Sequence, residues 1–155
     1  MSDETLMISP EVGVSISKSI LCWLATADAE GTPNVSPKEI FTTFGDDHFI
    51  VANIASPQTV RNIRQNEKVC VSFIDILVQK GYKVHGTARI VGEGDESFAA
   101  MAAPLTKMTS GKFPFRSVIA IAVTKISTIV APKYVLYPET TEEEQVVSAR
   151  AAYGL

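Results

Sequence analysis

Two short segments hold residues whose types and spacing could do chemistry. The first is Pro33-Asn34-Val35-Ser36-Pro37-Lys38. A proline inside a strand removes a ladder donor, so Pro37 belongs at a sheet edge or an irregularity. Backbone groups beside it are then free for another partner, and Lys38 ends the segment with a cation suited to an anion. The competing reading is a solvated lysine beside a strand kink. The second segment is Ala52-Asn53-Ile54-Ala55-Ser56-Pro57-Gln58-Thr59-Val60-Arg61-Asn62-Ile63. Here an apolar strand runs into the cap-then-proline signal of a helix start. The free N–H groups and dipole of such a start favour an anion. Ser56, Gln58 and Thr59 add polar side chains, and Asn62 lies one turn beyond Thr59. Arg61 faces Gln58 and Gln65. The competing reading is a capped surface helix.

Other chemistries find no support in the sequence. It has no Gly-x-x-x-x-Gly-Lys phosphate loop, and Gly92-Glu93-Gly94 lacks the third glycine of a dinucleotide fingerprint. No Gly-x-Ser-x-Gly elbow occurs. Two histidines, His48 and His85, and two isolated cysteines, Cys22 and Cys70, make no zinc-type cluster. Both cysteines read as reduced core residues. His85 alternates with Tyr82 and Val84, which puts it on the opposite strand face as a structural or solvent-facing residue, with proton donation as the other option. An enzyme with this inventory borrows a cofactor for its chemistry.

Several elements must position these segments. Ser9-Pro10-Glu11 opens a short helix through about Lys18. Ile20 to Ala27 is a buried strand, Asp28 to Pro33 a turn, and Val35 to Phe44 a second strand. After a turn at Gly45-Asp46-Asp47, His48 to Ile54 is a third strand. A helix over about Pro57 to Gln65 follows, then strands over Val69 to Asp75 and Tyr82 to Val91. An Ala-rich helix from Asp95 breaks near Pro104. Ser117 to Val130 is the last strand. Tyr134 to Pro138 reads as extended, and Thr141 to Arg150 as a helix with a capping box at Thr141 and Glu144. The sum is six strands and three or four helices. Tight turns imply antiparallel neighbours, so a mainly β architecture, a six-stranded antiparallel barrel with flanking helices, is expected.

Composition bounds the rest. The 155 residues fit one domain spanning 1–155, with 133–155 as a C-terminal tail. Hydrophobic residues make up 46% and charged residues 20%, which supports a packed core. A net charge of −3 argues against a nucleic-acid partner. No apolar run nears the ~20 residues of a membrane span. Met1-Ser2-Asp3-Glu4 is acidic where a secretory leader is basic, so a cytoplasmic protein is expected.

Together the segments resemble the pyridoxamine 5′-phosphate oxidase-like FMN-binding split barrels. The similar run extends from about Ser19 to Ile129 and is carried by "LATADAEGTPNVSPK", "FIVANIASPQTVRNIRQNEKVCVSFID" and "GYKVHGTARIV". The resemblance implies a homodimer with FMN in a groove between subunits. It implies that the strands holding Val35, Ser36, Pro37 and Lys38 and holding Ala52 and Asn53 line the flavin. Gln58, Thr59 and Asn62 would hold the phosphate, and Ser56, at the helix start, is counted with the cofactor-binding residues. Phe113, Phe115 and Arg116 would approach from the second subunit; their other reading is a loop that folds two phenylalanines into the barrel end.

Two departures separate this chain from the vitamin B6 oxidase. Such oxidases carry an Arg-Lys pair where Gln58-Thr59 stands, and they end in an Arg- and Trp-containing substrate segment. Here the single tryptophan is Trp23. The resemblance therefore implies an FMN-dependent oxidoreductase of a small flavin-binding branch, with hydride or electron transfer to a small molecule. Its alternatives are a non-catalytic flavin carrier or a split barrel that binds haem or a deazaflavin. The C-terminal helix is expected to pack across the dimer beside the flavin groove, or else on its own subunit.

Overall fold

The structure, a computed structural model, describes residues 6–155. Its elements are α1 (Pro10–Lys18), β1 (Cys22–Ala27), β2 (Pro33–Lys38), β3 (Phe41–Phe44), β4 (His48–Ala52), α2 (Pro57–Gln65), β5 (Lys68–Asp75), β6 (Lys80–Gly92), α3 (Phe98–Met108), β7 (Ser117–Val130), α4 (Pro132–Leu136) and α5 (Glu142–Tyr153). The strands form one antiparallel sheet in the order β2-β1-β5-β6-β7-β4-β3.

The sheet has seven strands, not the expected six, and it does not close into a barrel. The stretch from Val35 to Phe44 is two strands that sit at opposite edges of the sheet. Pro33 and Pro37 explain part of this. A strand that lacks two N–H donors can serve an edge but not the middle of a ladder. Glu39 and Ile40 alone connect the two edges, so the sheet curls until its ends nearly meet. The Ala52 amide donates to the Ile40 carbonyl at 3.0 Å and ties that corner to β4.

Alternation along the strands builds two cores. Cys22, Leu24, Phe49, Val71, Phe73, Val84, Ile119 and Ile121 point into the curl. Phe41, Phe49 and Phe73 stack there, with ring centres 5.5 Å and 6.2 Å apart. On the other face of β4 and β7, Ile50, Val118 and Ala120 meet Met101 and Leu105 of α3. Strand β4 is therefore buried on both faces, and it reads as an unbroken apolar run for that reason. At the β6 bulge between His85 and Gly86, a Cβ on Gly86 would run into the Ala122 carbonyl.

Two helices differ from expectation. Helix α3 continues through Pro104 to Met108. Proline costs it one internal bond, and the buried face of Met101, Ala102 and Leu105 holds the rest in place. The stretch expected to be extended after Pro132 instead makes the short helix α4. Pro132 sits at its first turn, and the Tyr134 hydroxyl donates to the Val78 carbonyl at 2.6 Å. The tail then docks on the β5–β6 turn of its own chain. The Tyr153 hydroxyl accepts from Gln79 Nε2 at 3.0 Å and donates to the Ile76 carbonyl at 3.3 Å. Lys80 pairs with Glu142 at 3.0 Å.

Candidate functional site

A cavity of about 730 Å3 opens at the Glu39–Ile40 corner that links the two sheet edges. Ser36, Pro37, Lys38, Glu39 and Ile40 form one wall, and Ala52, Ile54, Ala55 and Ser56 form another. The loop from α3 to β7 supplies Met108, Thr109, Ser110, Lys112 and Phe113. The volume suits a cofactor-sized molecule.

Lys38 dominates the electrostatics. On β2 the side chains alternate, and Lys38 faces inward and is only 7% exposed. It stands opposite Cys22 in the β1–β2 ladder. Burial pushes its ammonium below the usual lysine range, and Cys22 opposes that slightly. The Cys22 thiol is itself pushed up to about 12 by burial, with Lys38 acting the other way, so it is a neutral thiol at neutral pH. Lys38 Nζ donates to Ser56 Oγ. Ser56 Oγ in turn donates to the Ile54 carbonyl at 3.0 Å.

That arrangement changes the start of α2. Ser56 occupies the N-cap but makes no capping bond with its side chain, and Pro57 follows at the first position. The amides of Gln58 and Thr59 are thus uncapped by Ser56, beside a buried cation. A phosphate or another anion suits such a place.

The structure brings together Ser36, Pro37, Lys38, Ala52, Ser56 and Phe113 from the expected set. The other expected residues do not line the cavity. Val35 faces the opposite side of β2 and is exposed. Asn53 Nδ2 donates to Ser117 Oγ at 2.8 Å, and its Oδ1 is buried without a partner. Gln58 Nε2 donates to Asn62 Oδ1 at 2.8 Å, and Asn62 Nδ2 donates to Thr26 Oγ1 at 3.0 Å. Thr59 and Asn62 are both buried. The Asn62–Thr26 bond ties α2 to β1, and Gln58 holds Asn62 in place from within the helix. Arg61 Nη2 donates to Gln58 Oε1 at 2.8 Å. Phe115 packs edge-on against Phe98, 6.5 Å between centres. Arg116 is exposed and pairs with Glu93 at 3.4 Å.

Sequence reasoning missed Glu39, Ile40, Ile54, Ala55 and the turn Met108 to Ser110. Ala55 holds a left-handed φ of 49° and Ser110 one of 51°, which the residue types do not announce. Lys112 sits in the loop beside Phe113, and Ile54 and Ala55 lie inside the Ala52–Ile63 segment, so their neighbours carried the signal for these three.

A curled antiparallel sheet with flanking helices and an open seam is the fold of the pyridoxamine 5′-phosphate oxidase-like split barrels. The pyridoxamine 5′-phosphate oxidase family model matches residues 8–130, and the chain belongs to that family. A solved HupZ from Group A Streptococcus is 32% identical with a TM-score of 0.65, covering 77% of this chain and 92% of that one. An FMN-binding protein from Syntrophomonas wolfei is 20% identical with a TM-score of 0.66, covering 78% of this chain and 86% of that one. HutZ, a haem storage protein from Vibrio cholerae, is 18% identical with a TM-score of 0.64, covering 80% of this chain and 96% of that one. The last two likenesses show the fold. No curated protein sequence matches the chain. Among the described residues, no helix is long and apolar enough to cross a membrane.

Proposed function

We propose that this protein binds FMN in the seam cavity and works as a flavin-dependent oxidoreductase on a small molecule. The observation that carries the reading is the buried ammonium of Lys38 beside the uncapped start of α2. A phosphate monoester carries about −1.5 to −2 charges near neutral pH, and this end of the cavity is suited to receive it. The apolar side chains Ile40, Ile54, Met108 and Phe113 suit the flat ring. Bound FMN supplies hydride or electron transfer, and the protein supplies binding, orientation and exclusion of water. Two free cysteines, one of them fully buried, agree with a reducing, cytosolic setting.

The donor set argues for flavin over haem. Haem iron takes an axial histidine, cysteine, methionine or tyrosine. Among the described residues, only Met108 of these types lines the cavity. His48 lies elsewhere, with Nδ1 2.6 Å from Asp47 Oδ1. His85 stands opposite Cys70 in the β5–β6 ladder, against a different hollow.

Assembly as a homodimer is part of the proposal. On the outer face of β2-β1-β5, Trp23 stands opposite both Pro37 and Ser72, with Val35 and Ile74 nearby. Trp23, Val35 and Ile74 are all exposed. An exposed apolar face with a tryptophan at its centre fits a protein interface. Pro37 belongs both to this face and to the cavity rim, so a second copy seated here would reach the cavity. The test is the visible spectrum of the purified protein after FMN is added and free flavin removed, followed by NADH or NADPH oxidation. A retained flavin band supports the reading, and a protein that emerges colourless refutes it.

A further inference from the structure

The hydroxyl placed to cap α2 is engaged elsewhere. A serine at an N-cap ordinarily accepts a bond from an amide of the first turn. Two caps of this chain follow that rule, Ser9 Oγ accepting from the Val12 amide at 3.3 Å and Thr141 Oγ1 from the Glu144 amide at 3.1 Å, while Ser97 at the start of α3 makes no such bond. Ser56 makes no capping bond either, and its φ of −125° and ψ of 58° lie outside the extended geometry of Ser9 and Thr141. The preceding Ala55 is held at a left-handed φ of 49°. That is uncommon for alanine, and such outliers persist where surrounding structure over-determines them. The result is that Ser56 Oγ turns away from the helix. It donates to the Ile54 carbonyl and accepts from Lys38 Nζ.

Two consequences follow. The first amides of α2 stay available to a ligand instead of being consumed by a side chain. Lys38, which carries three donors and has Ser56 as its hydrogen-bond partner among the described residues, is held at the same end of the cavity. Without that tether the flexible lysine stem has other rotamers open to it.

We propose that Ser56 is a positioning residue. Its hydroxyl holds the Lys38 ammonium beside the start of α2, so that the cation and the helix amides converge on one phosphate. The idea rests on the FMN reading and adds to it the residue that makes the site select a phosphate-bearing flavin. The conformation of Ala55 is what releases the hydroxyl for this task.

The test compares wild type, Ser56→Ala, Ser56→Thr, Lys38→Ala and the Ser56→Ala/Lys38→Ala double variant. Calorimetric titration with FMN and with riboflavin reads binding. Loss of one charge-linked hydrogen bond should weaken FMN about tenfold in Ser56→Ala and change riboflavin by less than about twofold. Ser56→Thr keeps the hydroxyl and should stay within about threefold of wild type. In the Lys38→Ala background, Ser56→Ala should add little, because the two act as a unit. Equal losses for FMN and riboflavin, or additive losses, would overturn the idea. A second readout needs no flavin: the pH titration of the Lys38 side chain by NMR in the flavin-free protein. Removing an acceptor from the charged amine should lower its titration midpoint further in Ser56→Ala, and Thr should restore it. An unchanged midpoint overturns the Ser56–Lys38 link. A shifted midpoint in a protein that binds no FMN upholds the link and refutes only the flavin reading.

Discussion

Lys38 and Phe41 lie at opposite edges of the seven-stranded sheet, although only Glu39 and Ile40 separate them in the chain. The cavity lies at this short connection, with Ser36 to Ile40 as one wall and Ala52 to Ser56 as another. Both walls are therefore fixed by one corner, and the corner is fixed by the Ala52–Ile40 backbone bond.

The lock between α2 and β1 is expected to be a stability feature. Asn62 is 1% exposed, and its Nδ2 depends on Thr26 Oγ1. Thr26→Val keeps the shape but strips the acceptor, leaving a buried donor unpaired. The cost should be about 1–3 kcal/mol, read by urea unfolding. An unchanged midpoint would mean that Asn62 finds another partner.

Gly86→Ala should be more damaging than its size suggests. The added Cβ meets the Ala122 carbonyl across the central β6–β7 ladder. Backbone has to move, at about 1–3 kcal/mol or more. Thermal melting of the purified variant measures this, and a melting temperature equal to wild type would contradict the geometry.

Lys38 gives a pH prediction. Its folded pKa is lowered, so between the folded and unfolded values the unfolded chain binds more protons. Its burial therefore costs stability below the folded pKa, and that cost fades as pH climbs toward the ordinary value of 10.5. Lys38→Met should raise the melting temperature of the flavin-free protein at neutral pH by roughly 2–4 °C, or ~1 kcal/mol. The advantage should shrink near pH ~10 as the wild-type lysine loses its charge. A lower melting temperature at neutral pH would show that the ammonium is well compensated.

The tail predicts a local effect. Tyr153 is exposed but bonds both Gln79 and the Ile76 carbonyl. Tyr153→Phe should cost no more than about 1 kcal/mol. Deleting residues 139–155 should speed hydrogen exchange in the Ile76–Gln79 turn and leave β4 and β7 protected. Unchanged exchange in that turn would show that the tail does not hold it.

The helix that starts beside the cavity and the strand that follows its loop were legible in the sequence. Helix α2 and strand β7 run over the expected residues, because Ser56-Pro57 and the β-branched run after Ser117 are strong local signals. The number of strands was not legible. Glu39-Ile40 has no Gly, Pro or Asn to mark a break, and the break exists because the sheet curls there. Ser36 and Lys38 line the cavity from the inward face of β2, Val35 sits on the outward face, and Pro37 reaches the rim from that outward face. Gln58, Thr59 and Asn62 were placed correctly on α2, yet Gln58 and Asn62 spend their side chains on bonds within the protein and Thr59 is buried. Which way Asn62 turns depends on Thr26, 36 positions away, and local pattern does not contain it.

The central claim is that the Lys38 end of the cavity receives a phosphate-bearing flavin. Paired titrations of FMN and riboflavin into wild type and Lys38→Ala test it most directly. FMN should bind wild type at least about tenfold more tightly than riboflavin, and that gap should collapse in Lys38→Ala, since one charge-assisted contact is worth about 1.5–3 kcal/mol. Equal affinity for the two flavins in wild type, or a gap that survives the loss of Lys38, would contradict it.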